Sequence, residues 1–180
     1  MVDTIIFDLD GTLLDTLEDL TDSVNYAMEQ FKLPVRTIEE VRSFVGNGVA
    51  KLIERCIPQG VQNPSYERIL AAFKEYYALH CEDKTRPYDG IMEMLDQLSK
   101  KGYHMAIVSN KFDGAVKKLN EKYFKTYISV AIGESTTVKK KPAPDTVYQA
   151  LLELACDVSR AVYVGDSEVD RQTAGNVPMP

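Results

Sequence analysis

Thr4-Ile5-Ile6-Phe7-Asp8-Leu9-Asp10-Gly11-Thr12 opens the chain. The β-branched and aromatic run from Thr4 to Leu9 is too short for a helix and is punctuated by Gly11, so it predicts a buried strand with acidic residues at its carboxyl end. Beyond it the period changes. Leu17, Leu20, Val24, Ala27, Met28 and Phe31 recur at helical spacing, and Thr16 with Asp19 has the form of a capping box. Thr37 and Glu40 form a second box, Gly46-Asn47-Gly48 breaks the chain, and Val49, Leu52, Ile53 and Cys56 share one face of a short helix. Pro64 suits a helix start, after which Tyr66, Ile69, Leu70, Phe73, Tyr76 and Tyr77 repeat at helical period, which predicts packing roles for the tyrosines.

Residues 15–83 therefore read as helical, whereas everything after them alternates. Ile91 to Leu98 predicts a helix stopped by Gly102, Tyr103 to Ser109 a strand, Asp113 to Tyr123 a helix and Ser129 to Ile132 a strand. Asp145 to Ala155 then reads as a helix, Ala161 to Val164 as a buried strand and Glu168 to Asn176 as a last helix. The fold class is α/β: a doubly wound, Rossmann-like parallel sheet over residues 1–14 and 84–180, with an all-helical domain inserted at 15–83.

Composition narrows the partners. The 180 residues are 44% hydrophobic and 27% charged with a net charge of −6, which suits a folded globular chain and argues against nucleic acid or anionic membrane as the ligand. Small molecules and metal ions are the expected partners. Cys56, Cys81 and Cys156 stand far apart, and no basic segment precedes an apolar run at the N-terminus, so a cytoplasmic protein with free thiols is expected.

Ligands of a doubly wound sheet bind beyond the carboxyl ends of its strands. Asp8, Asp10, Gly11 and Thr12 follow the first strand, Ser109 and Asn110 the second, and Gly165, Asp166 and Asp170 the last, while Lys141 precedes Pro142 ahead of a helix. A carboxylate attacks phosphorus by forming an aspartyl-phosphate, which splits one hard displacement into two easier ones; Asp8 is placed for this. Asp10 is the second carboxyl, giving a proton to the leaving oxygen and later activating water. Gly11 lets the chain turn past the phosphate, and Thr12 and Ser109 can donate to its oxygens. Four carboxylates against one lysine leave the rim strongly negative before a phosphate dianion arrives, so a cation is required, and oxygen ligands favour Mg²⁺ over zinc. The same crowding is expected to keep one carboxyl, Asp10, neutral.

In order along the chain, Asp8-Leu9-Asp10-Gly11-Thr12, the apolar strand closing on Ser109, Lys141 in Lys-Lys-Pro-Ala-Pro-Asp and Gly165-Asp166-Ser167-Glu168-Val169-Asp170 resemble the four motifs of the haloacid dehalogenase superfamily. The resemblance covers essentially the whole chain. It implies that Asp8 and Asp166 bind the metal by side chain, Asp10 by its backbone carbonyl, with Asp170 supporting, and that Lys141 is the catalytic lysine. Lys139 and Lys140 are the alternative arms; Pro142 favours Lys141. The helical insert resembles the mobile cap of that family. Val45-Gly46-Asn47-Gly48-Val49 with Leu52-Ile53-Glu54-Arg55 looks most like the phosphoglycolate phosphatases, which implies 2-phosphoglycolate as substrate and Lys51 or Arg55 as contacts to its non-phosphoryl end. Pyrophosphate hydrolysis and phosphosugar phosphatase or mutase activity are the alternatives, with a phospho-acceptor signalling module as the reading from another class.

His80 and His104 have no ligand spacing and read as packing or surface residues. In the family's usual strand order, Ala161 to Val164 is left at the sheet edge because the chain stops at Val177-Pro178-Met179-Pro180. A C-terminally shortened enzyme, or self-association through that edge, is the expectation.

Overall fold

The computed structural model describes all 180 residues, which divide into two compact units, Met1–Leu14 with Pro87–Pro180 and Asp15–Arg86. The first unit is built on four parallel strands, β1 (Thr4–Phe7), β4 (His104–Phe112), β5 (Val130–Glu134) and β6 (Ala161–Val164), in the order β5-β4-β1-β6. Strand residues alternate between two apolar layers. Ile5, Phe7, Met105 and Ile107 pack with Leu95, Val116, Leu119 and Phe124, whereas Ile6, Ala106, Val108 and Ile132 pack with Val147, Ala150 and Leu151. Helices α5 (Ile91–Lys100) and α6 (Asp113–Tyr123) supply the first layer and α7 (Asp145–Leu154) the second. Burial on both faces explains why these strands read as unbroken apolar runs.

The helical unit holds α1 (Leu17–Gln30), α2 (Ile38–Phe44), α3 (Val49–Cys56) and α4 (Tyr66–His80). Leu20, Val24, Ala27 and Met28 of α1 are buried, as are Ile69, Leu70, Phe73 and Tyr77 of α4, the periodicity expected of facing helices. Tyr76 stacks between Tyr26 and His80, and the Tyr66 hydroxyl donates to the Ala50 carbonyl, so the tyrosines do pack. The chain passes between units through two short strands, β2 (Leu14–Asp15) and β3 (Arg86–Pro87), which pair with each other and carry no apolar run to reveal them in the sequence.

Two local expectations change. Thr37 and Glu40 form their capping box, but Thr16 makes no side-chain cap bond. Asp19 is instead buried and accepts from the backbone amides of Lys84 and Thr85 at 2.8 to 3.1 Å, fastening the returning chain to the first turn of α1. The second core strand does not stop at Ser109; it runs to Phe112, with a pairing irregularity between Val108 and Phe112, so Ser109, Asn110 and Lys111 are buried strand residues. Strand β6 pairs with β1 alone, leaving it at the sheet edge with Val164 40% exposed. No helix is long and apolar enough to cross a membrane.

Candidate active site

Asp8 follows β1 directly, and its amide continues the sheet by donating to the Val164 carbonyl at 2.8 Å. This backbone anchor holds a carboxylate at the strand tip, where it is 6% exposed. Lys141, on the loop before α7, reaches it from the far side of the sheet order: its Nζ donates to Asp8 Oδ1 and to Asp170 Oδ1, both at 2.6 Å. Lys139 and Lys140 are exposed, and Lys140 pairs with Glu134 at 3.8 Å, so Lys141 is the lysine in the site.

Asp170 lies in the first turn of α8 (Glu168–Gly175) and has every oxygen engaged. Its Oδ1 takes Lys141 and the Tyr163 hydroxyl at 2.9 Å, while its Oδ2 accepts from the Ser167 amide at 3.1 Å and from the Ser167 hydroxyl. The Asp170 amide returns a bond to Ser167 Oγ at 3.2 Å, completing a capping box at the helix start. Neither Tyr163 nor this box is evident from the motif pattern, since Tyr163 reads as an ordinary strand residue.

Charge and burial compete here in a definite order. Burial pushes the Asp8 carboxyl up to about 7 despite the neighbouring Lys141, with Asp170 and Asp10 adding in the same direction. Burial also opposes the charge on Lys141, yet Asp8 and Asp170 together hold that ammonium above its ordinary value. Asp170 stays below the usual carboxylate range because Lys141 and its hydrogen bonds outweigh its burial. Tyr163 is driven upward by burial first and by the Asp8 and Asp170 charges next, so its hydroxyl remains a donor.

One carboxylate oxygen from each of Asp8, Asp166 and Asp170 lies within 4.8 Å of the others. Thr12 donates to Asp166 Oδ1 at 3.3 Å. An all-oxygen set at this spacing, with a carboxylate whose charge burial disfavours, fits a hard divalent cation. Two glycines make room for it. Gly11 has φ +88°, and a Cβ there would stand 2.4 Å from Asp166 Oδ2; a Cβ on Gly165 would stand 2.5 Å from both Cβ and Cγ of Asp170. Gly165→Ala is accordingly expected to displace Asp170 and cost about 1–3 kcal/mol of stability; an unchanged denaturation midpoint would show that the loop yields freely.

Asp10 does not join this cluster with its carboxylate. Its Oδ1 pairs with Lys111 Nζ at 2.8 Å, a lysine whose side chain is 2% exposed and which sequence reasoning missed because Ser109-Asn110-Lys111 has the look of a loop. The charge count from the sequence thus omitted a buried lysine beside Asp10. Ser109 Oγ accepts from the Lys111 amide at 3.2 Å, and Asn110 Nδ2 donates to the Lys141 carbonyl at 3.0 Å, so Asn110 holds the loop that carries Lys141. Lys51 and Arg55 belong to the helical unit. Lys51 pairs with Glu54 at 2.6 Å, and Arg55 donates to the Phe44 carbonyl at 2.6 Å and to Asn47 Oδ1 at 2.9 Å, which secures the Gly46–Gly48 turn.

The profile of the haloacid dehalogenase-like hydrolases matches residues 5–180. The chain is 34% identical over 180 residues to a phosphoglycolate phosphatase of Mesorhizobium japonicum, a match covering 98% of this chain and 79% of that protein. A phosphoglycolate phosphatase of Pseudomonas savastanoi pv. phaseolicola is also 34% identical, over 176 residues, with 94% of this chain and 64% of that one covered. A solved structure from Lactobacillus delbrueckii subsp. bulgaricus, provisionally assigned as a phosphoglycolate phosphatase, agrees with a TM-score of 0.93 at 38% identity, covering 98% and 83% of the two chains. With its four motifs converging on one rim, the chain belongs to the haloacid dehalogenase-like hydrolase family.

Proposed function

We propose that this chain is a phosphatase that hydrolyses a small phosphomonoester, 2-phosphoglycolate, through a phosphoryl group carried on Asp8. The observation that carries the reading is the Asp8–Lys141–Asp170 chain of 2.6 Å contacts with Asp10 two residues beyond the nucleophile. The names of the relatives support the substrate. A Mg²⁺ ion held by Asp8, Asp166 and Asp170, with the Asp10 backbone carbonyl, would offset the phosphate's negative charge.

The residues then divide the work. An Asp8 carboxylate oxygen attacks phosphorus, the bond from phosphorus to the ester oxygen breaks, and the Asp10 carboxyl gives its proton to that oxygen. Asp10 next takes a proton from the water that attacks the aspartyl-phosphate, restoring Asp8 and releasing phosphate. Lys141 holds Asp8 and Asp170 against each other's repulsion throughout. Ser109 and Thr12 are the hydroxyls that steady the phosphoryl oxygens, and the Gly11 turn admits them. By its insertion point directly after the Asp8 segment, the helical unit takes the role of cap.

A phosphate-release assay over 2-phosphoglycolate, pyrophosphate and hexose phosphates, with and without Mg²⁺, tests the reading. The highest kcat/KM should belong to 2-phosphoglycolate and vanish with chelator; a preference for pyrophosphate or a hexose phosphate would replace the substrate, and turnover unaffected by chelation would remove the cation. Asp10→Asn should lower kcat roughly 10²- to 10⁴-fold by removing the proton transfer. A rate within threefold of the unmodified enzyme would take Asp10 out of the chemistry.

A further inference from the structure

Two buried lysines stand on the core unit's rim, and the reaction as proposed uses only one of them. Lys141 serves the nucleophile. Lys111 serves nothing in that scheme, yet its ammonium is held 2.8 Å from Asp10 at the end of a strand, with its side chain 2% exposed. Ordering and burying so long a side chain costs rotamer freedom and solvation, and an ion pair with one partner in view of solvent returns little of that. Asp10 is 26% exposed by side chain, so the pair opens to the rim on the Asp10 side.

Chemistry fixes what lies there. A general acid must come within hydrogen-bond reach of the oxygen it protonates, and that oxygen is the bridge between phosphorus and the leaving group. Whatever touches Asp10 is therefore beside the first atoms of the leaving group. In 2-phosphoglycolate the carboxylate begins two carbons from the bridging oxygen, within the span of a lysine ammonium that is itself bonded to the acid. The contacts observed for the two cap cations point the same way: Lys51 is spent on Glu54, and Arg55 on the Phe44 carbonyl and Asn47.

Resting on the phosphatase reading, we infer that Lys111 is a specificity-determining residue that binds the anionic group of the leaving alcohol, with the Asp10 carboxyl group as its hydrogen-bond partner while substrate is away. A short phosphoester bearing a carboxylate beside the ester carbon is the class it selects. A phosphoester with an uncharged tail forfeits this contact, and the rim then presents the tail with a lysine and a carboxyl group already bonded to each other. Placement on a core strand, rather than on the helical unit, ties the choice of leaving group to the same element that carries Ser109 and Asn110.

The test compares two esters on the same protein, 2-phosphoglycolate and ethyl phosphate, whose tail has the same carbon count and no charge. The unmodified enzyme should prefer the carboxylated ester. Lys111→Met and Lys111→Gln should reduce that preference, measured as the ratio of the two kcat/KM values, by about 10- to 100-fold, chiefly through KM for 2-phosphoglycolate. Lys111→Arg should retain most of it. Because any general damage to Asp10 or to folding lowers both esters alike, the ratio isolates the contact. Equal losses on both esters, or an unmodified enzyme without preference, overturn the assignment. Lys51→Ala and Arg55→Ala are measured alongside and should leave the ratio unchanged; loss of preference in either, with none in the Lys111 variants, overturns it too. If the unmodified enzyme releases phosphate from no ester, the phosphatase reading itself fails, which is a different outcome from an active enzyme indifferent to Lys111.

Discussion

Asp8→Asn is expected to abolish phosphate release, lowering kcat by roughly 10⁴-fold or more, while leaving a folded protein. The amide keeps the shape of the carboxylate but cannot form the acyl phosphate. Its neutral side chain also escapes the burial that pushes the Asp8 carboxyl up to about 7. Lys141 keeps Asp170 as a partner at 2.6 Å, so the fold retains its principal contact there. Mass spectrometry of acid-quenched protein should detect one added phosphoryl group on the unmodified chain and none on the variant. A variant that turns over within threefold of the original, or that still carries the group, would remove Asp8 from the role of nucleophile.

Lys141→Met should be the costliest single change for stability. It strips the ammonium from Asp8 and Asp170, whose side chains are only 9% and 3% exposed, and leaves two buried carboxylates facing each other. Breaking one side of a buried ion pair costs about 3–5 kcal/mol, which for a chain of this size is roughly 6–20 °C in Tm. Mg²⁺ should recover part of the loss by binding the native state alone. Lys139→Met and Lys140→Met, at exposed positions, serve as comparison. A Tm for Lys141→Met within 2 °C of the original, or an equal fall for Lys140→Met, would show that the buried pair does not carry this weight.

The architecture was legible because its signals are local and redundant. An apolar run ending in Asp8-x-Asp10-Gly11, alternating strand and helix periods after residue 84 and helical spacing before it leave few ways to arrange the chain. Asp8, Asp166 and Lys141 could be placed for the same reason: each follows or precedes an element whose end is marked. Lys111 escaped because three polar residues in succession look like a loop, whereas here the strand carries them inward, with Ser109 Oγ accepting from the Lys111 amide, Asn110 Nδ2 donating to the Lys141 carbonyl and Lys111 meeting Asp10. Tyr163 escaped because a strand position says nothing of where a ring's hydroxyl emerges. The Thr16–Asp19 pattern misled in the opposite direction. A capping box is a statement about four consecutive residues, and no local pattern can announce that amides sixty-five positions away will claim the carboxylate first.

Asp170 finishes two systems at once: with Ser167 it starts α8, and with Asp8 and Asp166 it forms the acidic cluster. A lengthened or neutral side chain at that position would have to satisfy both the helix start and the acidic cluster, and few substitutions can do that. A change at Asp170 is therefore expected to register twice, once in the start of α8 and once in the acidic cluster. Lys111, on β4, carries no such double duty, so under the proposed reaction a substitution there is expected to alter the choice of phosphoester and leave the start of α8 intact.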